Sequence, residues 1–215
     1  MTTFSNKDFD SALYHAARPV YHEGTYELIY DYHQKKGGQF DTAADVGTGT
    51  GQAALKLAGK FKSVIGTDIS EKMLEAAEKK PNLQFQACPA EKLPFADSSF
   101  DLVSTFEAMH YFKYEEYFKE VQRVLKPNGT LAVVVYHLPH AKDMPEVSQA
   151  INTLIFEKLK SSWGTSFLKV YSNATHADTH HNPDQGRFLV DNLYRDISFV
   201  SLLSIPRKQR QRMPG

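Results

Sequence analysis

Residues 41–59 read DTAADVGTGTGQAALKLAG. A largely apolar run breaks into glycines at 47, 49 and 51, then resumes as a helix-like pattern from Gln52. A strand, a glycine-rich turn and a helix in that order bring bare backbone up to the polar end of a ligand. The same alternation continues on both sides. Residues 63–69, SVIGTDI, precede SEKMLEAAEKK, where Ser70 is placed to cap a helix, Glu71 suits its first turn and Pro81 stops it. Residues 83–88, LQFQAC, lead into a loop. Residues 100–108, FDLVSTFEA, lead to YEEYFKEVQRVLK, whose Tyr117, Phe118, Val121, Val124 and Leu125 form an apolar stripe. The PNG at 127–129 marks a turn before the strand 130–137. Upstream, residues 23–36 place Tyr26, Ile29, Tyr30 and His33 on one helical face that Gly37 and Gly38 end.

Five near-continuous apolar strands, mostly joined by helices, predict a parallel sheet covered on both faces. Right-handed crossovers make it an α/β, doubly wound, Rossmann-like sheet with ligands at the carboxyl ends of the strands. The expected organisation is an N-terminal helical lid over 1–40 and a cofactor-binding core over 41–138. A helical and loop extension over 139–215 holds a helix near 145–160, a polar loop at 171–186 and a possible sixth strand at 197–205.

A length of 215 residues suits one domain. Basic and acidic residues number 25 each, so no net field announces a nucleic-acid or membrane partner. Arg207, Lys208, Arg210 and Arg212 read as a solvated end. The single cysteine, Cys88, rules out an intramolecular disulfide and suits a reducing compartment. No run approaches about 18 apolar residues. These features lead us to expect a soluble cytoplasmic chain acting on a small molecule. THADTHHNPD, with His176, Asp178, His180 and His181, matches no closed zinc site, so no metal is expected.

A triphosphate-binding loop needs lysine and then Ser or Thr after its glycines; here Gly51 is followed by Gln52 and Ala53. A dinucleotide fingerprint on Gly49, Gly51 and Ala54, with Asp68 as the ribose acid, stays open as an alternative. Asp45 weighs against it, because a carboxylate two residues before Gly47 repels a pyrophosphate and attracts an ammonium or a sulfonium. Asp68 can accept hydrogen bonds from ribose hydroxyls, and Ile69 can lie against an adenine. The ligand inferred from these residues is S-adenosylmethionine.

AADVGTGTGQ, VIGTDISEKML, ACPAEKLPFADSSFDLVSTFEAMHYF and VLKPNGTLAVVVY, in this order, resemble a class I S-adenosylmethionine-dependent methyltransferase over about residues 5 to 137. The opening TFSNKDFDSALYHAARPVY and the EAMHYF segment resemble more narrowly the fungal trans-aconitate methyltransferase group. The resemblance implies that Asp45, Gly47, Thr48, Gly49 and Gly51 hold the methionine part and Asp68 the ribose. It implies Ile69 against adenine, with Ala90 and Glu91 at the adenine edge, where Pro89 replaces the usual acid. Glu107 and His110 then belong to the wall beyond the fourth strand, and Tyr111 stands where the relatives carry Trp. Tyr14, Arg18 and Tyr21 match the lid, where Arg18 would clamp a carboxylate substrate. A carboxylate acceptor is already ionised at neutral pH, whereas an alcohol or amine would call on His110 as base.

Plainer roles stand beside these. The glycines could serve a tight turn, Asp68 could cap the next helix, His110 could be structural and Arg18 a surface ion pair. Cys88 reads as a small buried residue. The family's complete sheet has seven strands, the last antiparallel and inserted beside the fifth. Only five secure strands and a possible sixth are legible, so we expect the last strand to be missing and the fifth strand's edge to be open to association. A shortened, non-catalytic cofactor-binding form is the alternative function.

Overall fold

In a computed structural model, residues 21–135, 144–158, 187–188 and 199–204 are described. Helix α1 (Glu23–Lys35) precedes β1 (Thr42–Val46), α2 (Gln52–Leu57), β2 (Ser63–Asp68), α3 (Glu71–Glu75) and β3 (Leu83–Ala87). Strand β4 (Phe100–Phe106), a 3₁₀ turn (Met109–Tyr111), α4 (Tyr114–Val124) and β5 (Leu125–Val135) follow. Then come α5 (Pro145–Thr153), a π turn (Leu154–Lys158), β6 (Arg187–Phe188) and β7 (Phe199–Ser204). Tyr14 and Arg18, the loop 171–186 with its histidines, and the basic end 207–212 lie outside the described residues.

The strands form one sheet in the order β3-β2-β1-β4-β5-β7-β6. Strands β1 to β5 run parallel, with Asp45 opposite Gly66 on one side and Ser104 on the other. β4 is buried at every position, as a central strand covered on both faces must be. Ala43, Leu102, Ala132 and Val134 face one layer with α1, α2 and Phe61. Ala44, Val46, Val103, Leu131 and Val133 face the other with Tyr117, Val121 and Val124 of α4. Each large side chain buried this way stabilises the fold by roughly 1.5–3 kcal/mol.

Four expectations are corrected. The edge of β5 is not open: β7 pairs with it antiparallel, from Thr130 opposite Ser204 to Val135 opposite Phe199, and β6 pairs with β7. The strand read at 197–205 therefore occupies the place of the strand thought missing, and it satisfies the backbone row that an edge would leave bare. Helix α3 ends at Glu75, short of Pro81, because the chain turns back early to bridge Lys80 with Leu83 and start β3. Ser70 occupies the N-cap position of α3 but makes no side-chain capping bond. The PNG turn is a bulge inside β5: Phe100 pairs with Leu125 and Leu102 with Thr130, with Asn128 at φ +66° absorbing the extra residues.

α1 is tied to β5 by a polar contact at its end. His33, fully buried, has Nδ1 2.8 Å from Thr130 Oγ1 and Nε2 2.9 Å from the Gln39 carbonyl. The carbonyl can only accept, so Nε2 carries the proton and Nδ1 accepts from the threonine hydroxyl. Burial lowers the pKa of His33, which keeps the ring neutral.

Candidate functional site

The turn after β1 is held by glycines at two decisive points. Gly47 has φ +72°, and a Cβ there would stand 2.4 Å from the Ala108 Cβ. Gly51 has φ +80°, and a Cβ there would stand 2.8 Å from the Phe85 ring. Side chains are therefore excluded twice over, by conformation and by space. The N–H groups of Gly47 and Thr48 both donate to the Thr67 carbonyl at 2.8 Å, which locks the turn onto the end of β2.

A cavity of about 220 Å³ opens at the carboxyl ends of β1, β2 and β4. Its walls include Asp45, Gly47, Thr48, Gly49, Asp68 and Ile69, then Cys88 to Glu91 beyond β3, and Phe106 at the end of β4 with Glu107 and Ala108 beyond it. Tyr21, Tyr111 and Phe112 also line it. The location is where a doubly wound sheet places its ligand.

Asp45 is buried in this wall. Its Oδ2 accepts from Thr48 Oγ1 at 2.6 Å and its Oδ1 from Ser104 Oγ at 2.7 Å. Burial pushes its pKa up to about 6; the two hydroxyls oppose that rise and the charge of Asp68 adds to it. A cation in the cavity would relieve this, since it favours the ionised form. Asp68 Oδ2 accepts from the Gly49 N–H and Oδ1 from the Ser70 N–H, both at 2.9 Å. One carboxylate thus joins the glycine turn to the start of α3 and keeps further lone pairs for a ligand. Beside it Ile69 is 61% exposed, an apolar side chain turned toward the cavity mouth.

The adenine-edge segment is partly committed elsewhere. Ala90 is buried in the wall, but Glu91 Oε1 accepts from the Lys113 N–H at 2.8 Å. Glu107 sits at φ +52°, a conformation rare for a residue with a side chain, and its N–H donates to the Val134 carbonyl at 2.9 Å. Tyr21 packs edge-on against Phe106 with centroids 4.8 Å apart. His110 is placed differently from its neighbours: it lies in the 3₁₀ turn with its ring 4.1 Å from that of Tyr111, and of the two only Tyr111 lines the cavity. Ser104, Phe106 and Phe112 were not singled out by sequence reasoning. Ser104 alone had a signal, a hydroxyl inside an apolar strand.

The fold and this cavity define a class I methyltransferase architecture. Residues 44–133 match the family model of a methyltransferase domain. CRG1 of Saccharomyces cerevisiae, a probable S-adenosylmethionine-dependent methyltransferase, is 31% identical over 206 residues, 91% of this chain and 67% of that one. A methyltransferase-like protein of Dictyostelium discoideum is 36% identical over 128 residues, 60% of this chain and 48% of that one. The structure of a candidate type II methyltransferase from Anaeromyxobacter dehalogenans superposes with TM-score 0.62 at 27% identity, over 77% of this chain and 68% of that one. The chain belongs to the class I S-adenosylmethionine-dependent methyltransferase family. It spans about half the length of several relatives it matches, 48% of the Dictyostelium protein and 49% of one from Schizosaccharomyces pombe. S-adenosylmethionine is the cofactor of this family, and the residues present suit it: a buried carboxylate for a cation, bare backbone, and a second carboxylate beside an exposed apolar side chain. Among the described residues no helix is long and apolar enough to cross a membrane, and none group to hold a metal.

Proposed function

We propose that the protein is an S-adenosylmethionine-dependent methyltransferase acting on a small molecule. The observation that carries this is the pair of cavity carboxylates, Asp45 buried behind the glycine turn and Asp68 bonded to the backbone N–H groups of Gly49 in that turn and of Ser70. When bound, the cofactor supplies an electrophilic methyl group on a sulfonium. The chain's part is to bind and align. Asp45 attracts the cationic amino-acid end, the turn 47–51 lets backbone approach it, and Asp68 accepts from the ribose hydroxyls with Ile69 against the base. Ala90 and Glu91 form the edge beyond, although the bond of Glu91 to Lys113 leaves it one oxygen for that task. Tyr21, Phe106 and Phe112 exclude water from the reacting end, and alignment with desolvation supplies most of the catalysis for such a displacement.

For the acceptor we favour a carboxylate oxygen, as in trans-aconitate-like acids, on the resemblance of Tyr14, Arg18, Tyr21, Glu107, His110 and Tyr111. A carboxylate needs no base, and Arg18 would supply the countercharge. A second reading has one observation behind it. The cavity lining holds Asp45, Asp68, Glu91 and Glu107 and, among the described residues, no lysine or arginine. That balance suits an amine or a neutral hydroxyl, with His110 as the base. The test is transfer of labelled methyl from S-adenosylmethionine to matched dicarboxylates, amines and phenols. Turnover of dicarboxylates that is lost in Arg18→Gln supports the first reading. Turnover confined to amines or phenols and lost in His110→Gln supports the second, and no turnover with any acceptor overturns both.

A further inference from the structure

Four residues of the cavity wall, Cys88 to Glu91, open a segment that has no regular structure until β4 begins at Phe100. Such a segment is held only by what reaches into it. Cys88 is tied at one end, its N–H donating to the Asp68 carbonyl at 3.0 Å, and Leu93 and Phe95 pack into the apolar layer under α4. In between, Glu91 accepts from the Lys113 N–H and the Lys92 N–H donates to the Pro89 carbonyl, and the side-chain ties to residues 93–97 come from α4. Arg123 donates through Nη2 to the Leu93 carbonyl at 2.8 Å and through Nη1 to the Phe95 carbonyl at 2.6 Å. Nη1 also reaches Asp97 Oδ1 at 3.0 Å, while Nε and Nη2 fork onto the two oxygens of Glu120 at 2.9 and 2.7 Å. Glu120 Oε2 in turn accepts from the Leu93 N–H at 2.8 Å.

Every N–H of the guanidinium is thus engaged, and three of the five bonds end on residues 93–97. A planar five-donor fork does this and a lysine ammonium does not. Glu120 grips the same segment from the donor side, so the pair binds both the N–H and the carbonyl of Leu93. We propose that Arg123 and Glu120 are positioning residues that set the Cys88–Glu91 wall of the cofactor cavity. That they act on cofactor binding rests on the proposed methyltransferase function; that they hold the wall does not.

The chain's single cysteine stands on this wall and reports on it. The experiment follows the rate at which an aromatic disulfide reagent modifies Cys88 in the whole protein, with and without S-adenosylhomocysteine, and measures the affinity of that ligand calorimetrically. Arg123→Met and the milder Arg123→Lys and Glu120→Gln are compared with the natural sequence. The expected result is a tenfold or greater acceleration in Arg123→Met. A smaller one is expected in each milder variant, and about a tenfold weaker ligand affinity in Arg123→Met. The acceleration should be independent of low urea, as local opening requires. An unchanged rate in the folded variants overturns the proposal, and so does an acceleration that rises with urea along the global unfolding curve. If the variants accelerate modification but the ligand never protects Cys88, the wall is held as described and the cofactor reading is what fails.

Discussion

Asp45→Asn separates the cost of a buried carboxylate from the rest of the site. Burial raises the Asp45 pKa from 3.8 to about 6, which corresponds to about 3 kcal/mol at neutral pH. The folded protein holds this proton more tightly than the unfolded chain does. The contribution of Asp45 to stability without ligand therefore falls as pH rises from about 4 to 7, and the loss levels off above that. Asn keeps the size and the bonds to Thr48 and Ser104, one hydroxyl reversing its role, and it cannot ionise. The difference in unfolding free energy between the two proteins should change by about 3 kcal/mol across this window, or roughly 6–12 °C in midpoint for a chain of this size. The assay is urea or thermal unfolding of both proteins at half-unit steps of pH. A ligand that brings an ammonium group to Asp45 reverses the ranking, because that group needs the ionised form. S-adenosylhomocysteine should bind the natural protein progressively more weakly below pH 6 and bind Asp45→Asn weakly at every pH. A difference that stays constant from pH 4 to 7.5 would refute the reasoning.

Other perturbations probe separate links. Asp68→Ala removes two charge-assisted bonds to backbone and should weaken S-adenosylhomocysteine binding at least 100-fold, with a stability loss of about 1.5–3 kcal/mol per bond at most, read by calorimetry and denaturation. Gly47→Ala combines a left-handed backbone with a contact at 2.4 Å and should abolish ligand binding, while Gln52→Ala beside it leaves the fold intact. Thr130→Val leaves the His33 Nδ1 without its hydroxyl and should cost about 1–3 kcal/mol. Because burial lowers the His33 pKa, its contribution is present above the unfolded value of about 6.5 and is lost as pH falls below it; in His33→Gln this acid-side slope should disappear.

The central strands and the turn between Val46 and Gln52 were legible because local chemistry dictates them. Apolar runs of strand length separated by helix-period segments admit few topologies, and glycines at 47, 49 and 51 leave few conformations. Asp45 and Asp68 were legible for the same reason, since the fold brings strand ends together. What was hidden depends on register or on long-range partners. The strand at 197–205 could be seen, but its place beside β5 is set by pairing across some 70 residues of chain. The acceptance of a bond from Ser104 by Asp45 depends on β1 lying next to β4 in that register. Nothing in YEEYFKEVQRVLK indicates that Arg123 reaches Leu93 and Phe95, because a surface-facing arginine on an amphipathic helix has many solvated alternatives.

The central claim is that the cavity at the ends of β1, β2 and β4 binds S-adenosylmethionine. The most direct measurement is a calorimetric titration of the natural protein and Asp68→Ala with S-adenosylhomocysteine, with NAD as the control. Micromolar binding of S-adenosylhomocysteine (about 8 kcal/mol), lost in Asp68→Ala and absent for NAD, is the result predicted. Binding of NAD with none of S-adenosylhomocysteine, by a protein shown to be folded, would contradict the account.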